Sequence, residues 1–236
     1  MDSDSVAHNL AEIRARIEAA CRVAGRDPSG VKLVGVTKTV PVERIREGIG
    51  AGITILGENY IQEARKKKEE LAGLDVTWHC IGHLQTNKVK VALECCDWIE
   101  TLDRESLATE LDRQAAKAGK KGPVLIQVNI GDEPTKSGIA TEGLLPFFKM
   151  ASGLEHLQVR GLMALPPFFD QPERARPFFR RMRELLDMLR ENSPRPEDLT
   201  ELSMGMSGDF EVAIEEGATL VRIGTALFGK RSPKTA

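Results

Sequence analysis

Long apolar runs, a leader-like N-terminus and a surplus of one charge are all missing from this 236-residue chain. Its apolar stretches fall far short of the roughly 20 residues that span a bilayer, which excludes a hydrophobic transmembrane helix. Met1-Asp2-Ser3-Asp4-Ser5 is acidic and lacks the charged-then-apolar layout of a secretory leader, so a cytoplasmic location is expected. A formal net charge of -2 supplies no basic field, so neither nucleic acid nor a membrane surface is an expected partner. Cysteine is scarce. Cys21, Cys80, Cys95 and Cys96 show no Cys-x-x-Cys spacing, which argues against a disulfide framework and for reduced core residues. No Pro/Ser-rich linker, internal repeat or low-complexity tract divides the chain, and one domain over residues 1–236 is expected.

What is present is a composition able to build a core, 41% hydrophobic and 29% charged. Val6, Leu10, Ile13 and Ile17 form a helical stripe near the N-terminus. An alternation follows. Strand-like runs lie near 32–37, 54–56, 76–81, 98–101, 124–130, 159–163, 201–204 and 220–223. Helical patterns fill most of the gaps, at 42–51, 61–71, 87–94, 106–118, 144–151 and 174–192. In the longest, Phe178, Met182, Leu185 and Leu189 predict the buried stripe. Strands alternating with helices argue for a parallel sheet, closed as a (β/α)8 barrel or open and doubly wound.

Lys38 ends the first apolar run. At the carboxyl end of a buried strand its stem lies among apolar neighbours and its amine at a cleft. Such burial disfavours the ammonium, which suits a lysine that forms Schiff bases. A lysine snorkelling from a strand end into water fits the same residue. If the sheet closes, the first and eighth strands become neighbours, and the loops at their carboxyl ends carry the chemistry. There Gly224 and Thr225 open a short helix, and Met204-Gly205-Met206-Ser207-Gly208-Asp209 follows the seventh strand. Glycines, a hydroxyl at Ser207 and helix-start amides suit a phosphate. Two ordinary glycine turns are the alternative.

Several segments extend the pattern in order: Val36-Thr37-Lys38-Thr39, Gly57-Glu58-Asn59-Tyr60-Ile61-Gln62-Glu63, and Ile81-Gly82-His83-Leu84-Gln85-Thr86-Asn87-Lys88. Val128-Asn129-Ile130, Lys136-Ser137-Gly138, Gly161-Leu162-Met163, Ser203-Met204-Gly205-Met206-Ser207 and Arg222-Ile223-Gly224 continue it. Together they resemble the pyridoxal phosphate homeostasis family, from near residue 5 to residue 230. The resemblance implies a (β/α)8 TIM barrel with an extra N-terminal helix, like the barrel domain of bacterial alanine racemase. It also implies pyridoxal 5'-phosphate as the ligand, held as an aldimine on Lys38. Ser207, Gly224 and Thr225 would hold the phosphate, Arg222 would face the pyridine nitrogen, and Asn59 would sit beside the ring. The family's pattern often has proline where His83 stands and serine where Thr86 stands; neither position is assigned to the cofactor.

Other signals have plainer readings. His79 and His83 are four apart, but they lie on strand and turn, so no metal site is expected. Gly48-Ile49-Gly50-Ala51-Gly52 follows a helix and reads as its C-terminal cap rather than a dinucleotide loop. Arg65-Lys66-Lys67-Lys68-Glu69-Glu70 reads as a solvated helix face. Lys136 and Lys230 read as phosphate contacts or surface lysines, with acceptance or transfer of the aldehyde as the alternative.

Two functions follow from the resemblance. One is a carrier that buffers a reactive aldehyde and delivers it to pyridoxal phosphate-dependent apoenzymes. The other is an enzyme of the amino-acid racemase class. Inversion needs an acid/base group on each face of the substrate, and in alanine racemase a tyrosine from a second domain, across a dimer, supplies one. This chain has a single tyrosine, Tyr60, and no second domain is expected within it. A monomeric carrier is expected.

Overall fold

A computed structural model describes residues 5–133 and 135–229 of the chain. Eight parallel strands close on themselves in sequence order. They are β1 (Lys32–Val36), β2 (Ile55–Glu58), β3 (Thr77–Cys80), β4 (Trp98–Leu102), β5 (Gly122–Val128), β6 (Leu157–Ala164), β7 (Glu201–Ser203) and β8 (Leu220–Ile223). Closure is made by β1 against β8, with Lys32 opposite Leu220 and Gly35 opposite Ile223. The sheet is therefore the barrel rather than the open alternative.

An outer layer of helices covers it: α2 (Val42–Gly50), α3 (Ile61–Glu70), α4 (Val89–Cys95), α5 (Glu105–Lys117), α6 (Leu144–Ser152), α7 (Arg176–Glu191), α8 (Phe210–Glu215) and α9 (Thr225–Phe228). The additional N-terminal helix, α1 (Val6–Val23), starts where the Ser5 side chain accepts a hydrogen bond from the His8 amide at 3.1 Å. Its stripe of Val6, Leu10, Ile13 and Ile17 is buried, and it lies against α8 and α9. Asn9 Nδ2 donates to the Leu227 carbonyl at 3.0 Å, which ties α1 to the short helix after β8.

Side chains alternate between the two faces of a strand, so every second residue enters the barrel. Val34, Leu125, Met163 and Leu220 form the inner apolar plug, with Ile55 and Trp98 against it. The helix stripes form the second core, between sheet and helices. In α7 the buried residues are Phe179, Met182, Leu185, Leu186 and Leu189. The expected Phe178 is only partly buried and stacks on Phe169 instead, with ring centroids 5.7 Å apart. The α7 pattern also begins later than 174, because residues Pro172–Ala175 form a separate 3-10 turn.

One charge run departs from its expected setting. Lys67 is buried rather than solvated. It continues the inward face of α3 after Ile61 and Ala64, and its ammonium reaches Glu58 and the Thr37 carbonyl oxygen. All four cysteines are free and buried. No helix among the described residues is long and apolar enough to cross a membrane.

Candidate functional site

Because Val34 and Val36 point into the barrel, the alternation turns Lys38 inward as well, just past the end of β1. The outward-facing Thr37 between them is pinned from outside. Its Oγ1 donates to Glu58 Oε1 at 2.8 Å, and its carbonyl oxygen accepts from Lys67 Nζ at 2.7 Å. Thr39 then takes a left-handed conformation, φ 62°. A β-branched residue pays steric strain there, of order 1–3 kcal/mol, which the surrounding turn must hold in place. The chain is thus forced to swing away immediately after Lys38, leaving that side chain at the barrel mouth.

The same alternation carries Asn59 inward after Ile55 and Gly57, and Gly224 inward after Leu220 and Arg222. At Gly224 an added Cβ would sit 3.4 Å from Val36 Cβ, so glycine keeps the floor between β1 and β8 open. Gly205, with φ 90°, makes the turn out of β7; a Cβ there would meet Ala213 Cβ at 2.6 Å. That turn delivers Ser207 and Gly208 to the mouth, facing the start of α9. Gly224 is the N-cap of α9, and the Ala226 amide donates to Ser207 Oγ at 3.4 Å.

These elements enclose a cavity of about 280 Å³. Lys38, Asn59, Ser207, Arg222, Gly224 and Thr225 all line it, although they come from four separate parts of the sequence. Val36 and Ile81 supply apolar wall, and the loop after β6 closes the outer side with Leu165, Pro167, Phe168 and Phe169. Phe168 is 85% exposed at the rim. A second cavity of about 250 Å³ adjoins the first through Asn59, Ile81 and Leu165. Lys136 and His83 line this second one; Lys136 Nζ pairs with Glu133 Oε1 at 2.6 Å. Lys230 lies outside the described residues.

Arg222 was expected at the cavity, but the buried partners beneath it were not foreseen from the sequence. Arg222 is buried and donates through Nη2 to the Ala164 carbonyl oxygen at 2.8 Å and through Nη1 to Ser203 Oγ. Ser203 Oγ in turn donates to Glu100 Oε2 at 2.6 Å, and His79 Nδ1 lies 2.6 Å from Glu100 Oε1. Burial opposes ionisation of Glu100, yet the hydrogen bond from His79, the charges of His79 and Arg222 and the Ser203 hydroxyl outweigh it. The carboxyl is held below its usual range. Burial lowers the proton affinity of the Arg222 guanidinium, opposed by the carboxylates of Glu100 and Asp209. Asp209 also lines the cavity; burial raises its carboxyl above the usual range. The available signal was Glu100 itself, an acid inside a mostly apolar strand.

His79, expected to be a satisfied or solvent-facing histidine, is satisfied: it is buried, bonded to Glu100 and stacked on Trp98. His83 is half-exposed, with Nδ1 3.4 Å from Asp103 Oδ2. Among the described residues no group of three or more His, Cys, Asp and Glu side chains is arranged to hold a metal ion.

Fold and site together define a class: a parallel (β/α)8 barrel with a lysine projecting inward just past the end of the first strand and a glycine–serine cup at the ends of the last two. The family model described as "Alanine racemase, N-terminal domain" matches residues 1–232. The pyridoxal phosphate homeostasis protein of Aquifex aeolicus is 49% identical over 222 residues, 94% of this chain and 96% of that protein. The protein of the same description from Haemophilus influenzae is 43% identical over 236 residues, covering 98% of each. Among solved structures, PipY of Synechococcus elongatus PCC7942 with PLP bound superposes with a TM-score of 0.85 at 38% identity, over 95% of this chain and 100% of that one. The chain belongs to the alanine racemase N-terminal domain family and, within it, to the pyridoxal phosphate homeostasis proteins.

Proposed function

We propose that this chain binds pyridoxal 5'-phosphate at the mouth of its barrel and works in vitamin B6 homeostasis, holding the aldehyde on Lys38 and releasing it to apoenzymes. The observation that carries this reading is the convergence of Lys38, Asn59, Ser207, Arg222, Gly224 and Thr225 on one cavity. The homologues' description and the PLP-bound PipY structure support it. The donor set fits the group. A lysine amine suits an aldehyde, and a hydroxyl and helix-start amides suit a phosphate.

Bound pyridoxal phosphate supplies an aldehyde carbon that condenses reversibly with an amine, releasing water. Lys38, which lines the cavity, would provide that amine. Arg222 lines the cavity and would face the ring nitrogen. A guanidinium only donates, so it would offer that nitrogen no anionic acceptor for a proton and would leave it largely unprotonated. The ring would then be a poor electron sink, which favours holding the cofactor over catalysing with it. Tyr60 is 61% exposed at the start of α3 and is not among the residues lining the cavity, which favours the carrier over a two-base racemase. We propose that the protein works in the cytoplasm as a monomer; a dimer mass in solution would contradict the latter.

The test is a titration of the apo protein with pyridoxal phosphate, wild type against Lys38→Ala. Wild type should develop a saturable imine absorbance that the variant lacks, and borohydride reduction with peptide mapping should place the label on Lys38. Label elsewhere, or none, overturns the site. Rapid deuterium exchange at the α-carbon of any amino acid would overturn the carrier reading in favour of an enzyme.

A further inference from the structure

We propose that Glu100 is a positioning residue for Arg222: through Ser203 it orients the guanidinium and balances its charge, and so tunes the proton affinity of whatever Arg222 faces. The inference rests on the cofactor reading above for the identity of that group, but the network itself is a property of the chain.

Proton bookkeeping leaves the network almost no freedom. The guanidinium has donors and no acceptor, so Ser203 Oγ must accept from Arg222 Nη1. The single hydroxyl proton of Ser203 is then committed to Glu100 Oε2, 2.6 Å away. That oxygen is an acceptor, and with Glu100 ionised Oε1 accepts the His79 Nδ1 proton at 2.6 Å. Arg222 Nη1 lies 3.9 Å from Glu100 Oε2, so the two opposite charges also attract directly. The four residues stand on β3, β4, β7 and β8, which places the chain of bonds across the barrel interior beneath the cavity floor.

Burial makes each link matter. Glu100 and Ser203 are 0% exposed, His79 is 2% and Arg222 is 3%, so water does not screen or replace these bonds. A buried guanidinium facing a cavity without a counter-ion would be costly in itself and would repel any cation placed above it. Glu100 removes both problems and does not itself line the cavity. The remaining charged groups around the pair are few. Asp209 lines the cavity wall near Arg222, and Lys38 lines it from the turn just after β1. Cys80, behind Glu100, is held as a neutral thiol, pushed up to about 12 by burial. Asp209 persists in a Glu100 variant, so it serves as an internal control.

The experiment compares wild type with Glu100→Gln, Glu100→Asp and Ser203→Ala, each loaded with pyridoxal phosphate. It reads the pH midpoint of the imine absorbance change together with the dissociation constant. Glu100→Gln keeps the shape and deletes the charge. Its midpoint should fall by about one pH unit, the scale of a unit charge acting over ~10 Å at an effective dielectric constant of ~20. Glu100→Asp, which retains the charge, should return the midpoint toward wild type. Ser203→Ala keeps the charge and breaks the bridge. It should weaken binding about tenfold with little change in midpoint. A purely structural role would lower affinity in all three and leave the midpoint alone.

A second readout needs no cofactor. Because the Glu100 carboxyl is lowered in the folded state, its stabilising effect is present above its ordinary value of 4.5 and is lost as pH falls through the folded value. The apo wild type should therefore lose stability on the acid side of about pH 4.5, and apo Glu100→Gln should be flatter there. Identical midpoints and identical acid profiles for wild type and Glu100→Gln overturn the proposal. A wild type that forms no imine overturns the cofactor reading instead, and the apo profiles still decide the role of Glu100. If Glu100→Gln does not fold, the two-part outcome for Ser203→Ala decides: unchanged affinity overturns the bridge.

Discussion

Replacing Lys67 by methionine should give a protein whose instability grows with pH, and the size of the effect can be bounded in advance. Lys67 Nζ donates to the Thr37 carbonyl oxygen at 2.7 Å and to Glu58 Oε1. Glu58 is 0% exposed, and its Oε2 has no hydrogen-bond partner. Methionine keeps the stem and deletes the ammonium, so a buried carboxylate loses its counter-ion. Breaking such a pair costs about 3–5 kcal/mol when the remaining charge is forced to persist. Glu58 has a cheaper escape, which is to bind a proton. From an ordinary value of 4.5, protonation at neutral pH costs about 3.4 kcal/mol, from about 2.5 pH units at about 1.36 kcal/mol each. That figure is the ceiling on the charge contribution.

The sign follows from the direction of the shift. Burial already pushes the Glu58 carboxyl up, against the pull of Lys67 and Thr37, and losing Lys67 pushes it further. A raised folded value gives stability that is complete below about 4.5 and declines as pH rises. Urea denaturation should therefore find Lys67→Met about 1 kcal/mol below wild type near pH 4.5, the scale of its lost hydrogen bonds. Near pH 7 the deficit should be larger but stay below about 4 kcal/mol, because Glu58 is already raised in the wild type and part of the charge contribution is common to both proteins. Adding Glu58→Gln should recover most of the pH-dependent part. A deficit independent of pH, or a double variant no better than the single one, would refute the buried-charge account and leave Lys67 as packing alone.

Two further outcomes test other parts of the molecule. Gly205→Ala should destabilise the protein by about 2 kcal/mol or more, because a left-handed residue gains a Cβ in a spot already filled; thermal melts measure this, and a neutral result would mean the β7 turn relaxes freely. The four buried thiols should resist an aromatic disulfide reagent in the native protein and react together along the urea unfolding curve, with Cys80 and Cys96 the most inert, Cys80 because burial pushes it up to about 12 and Cys96 because the hydrogen bond with Cys95 and burial both push it up; fast labelling in the folded state would contradict the packing.

Much of the architecture was legible because it is written in local periods. The α1 stripe, the alternation of strands and helices and the inward parity of Lys38 and Gly224 all follow from spacings of 3.6 and 2 residues. Local period failed where two readings share one pattern. Lys67 sits in a run of charges that looks solvated, yet Ile61, Ala64 and Lys67 lie on one helix face, and that face is buried. Phe178 and Phe179 differ by one helical step, and only packing against β6 and β7 selects Phe179. For His79 local pattern leaves satisfied and solvent-facing readings open, and only the fold chooses, because its partner Glu100 lies on a different strand.

The sequence by itself determined the strand–helix alternation, the lysine at the end of the first strand and the small residues after the seventh and eighth. It determined these because each depends on neighbours within a few positions along the chain. Only the tertiary structure decided that the sheet closes, and with it which polar side chains share the barrel interior. Glu100 and Ser203 are 103 residues apart, and nothing local to either sets their 2.6 Å bond. Closure of β1 on β8 places Lys38 and Arg222 in one cavity, and the bonds across the interior determine what Arg222 stands on.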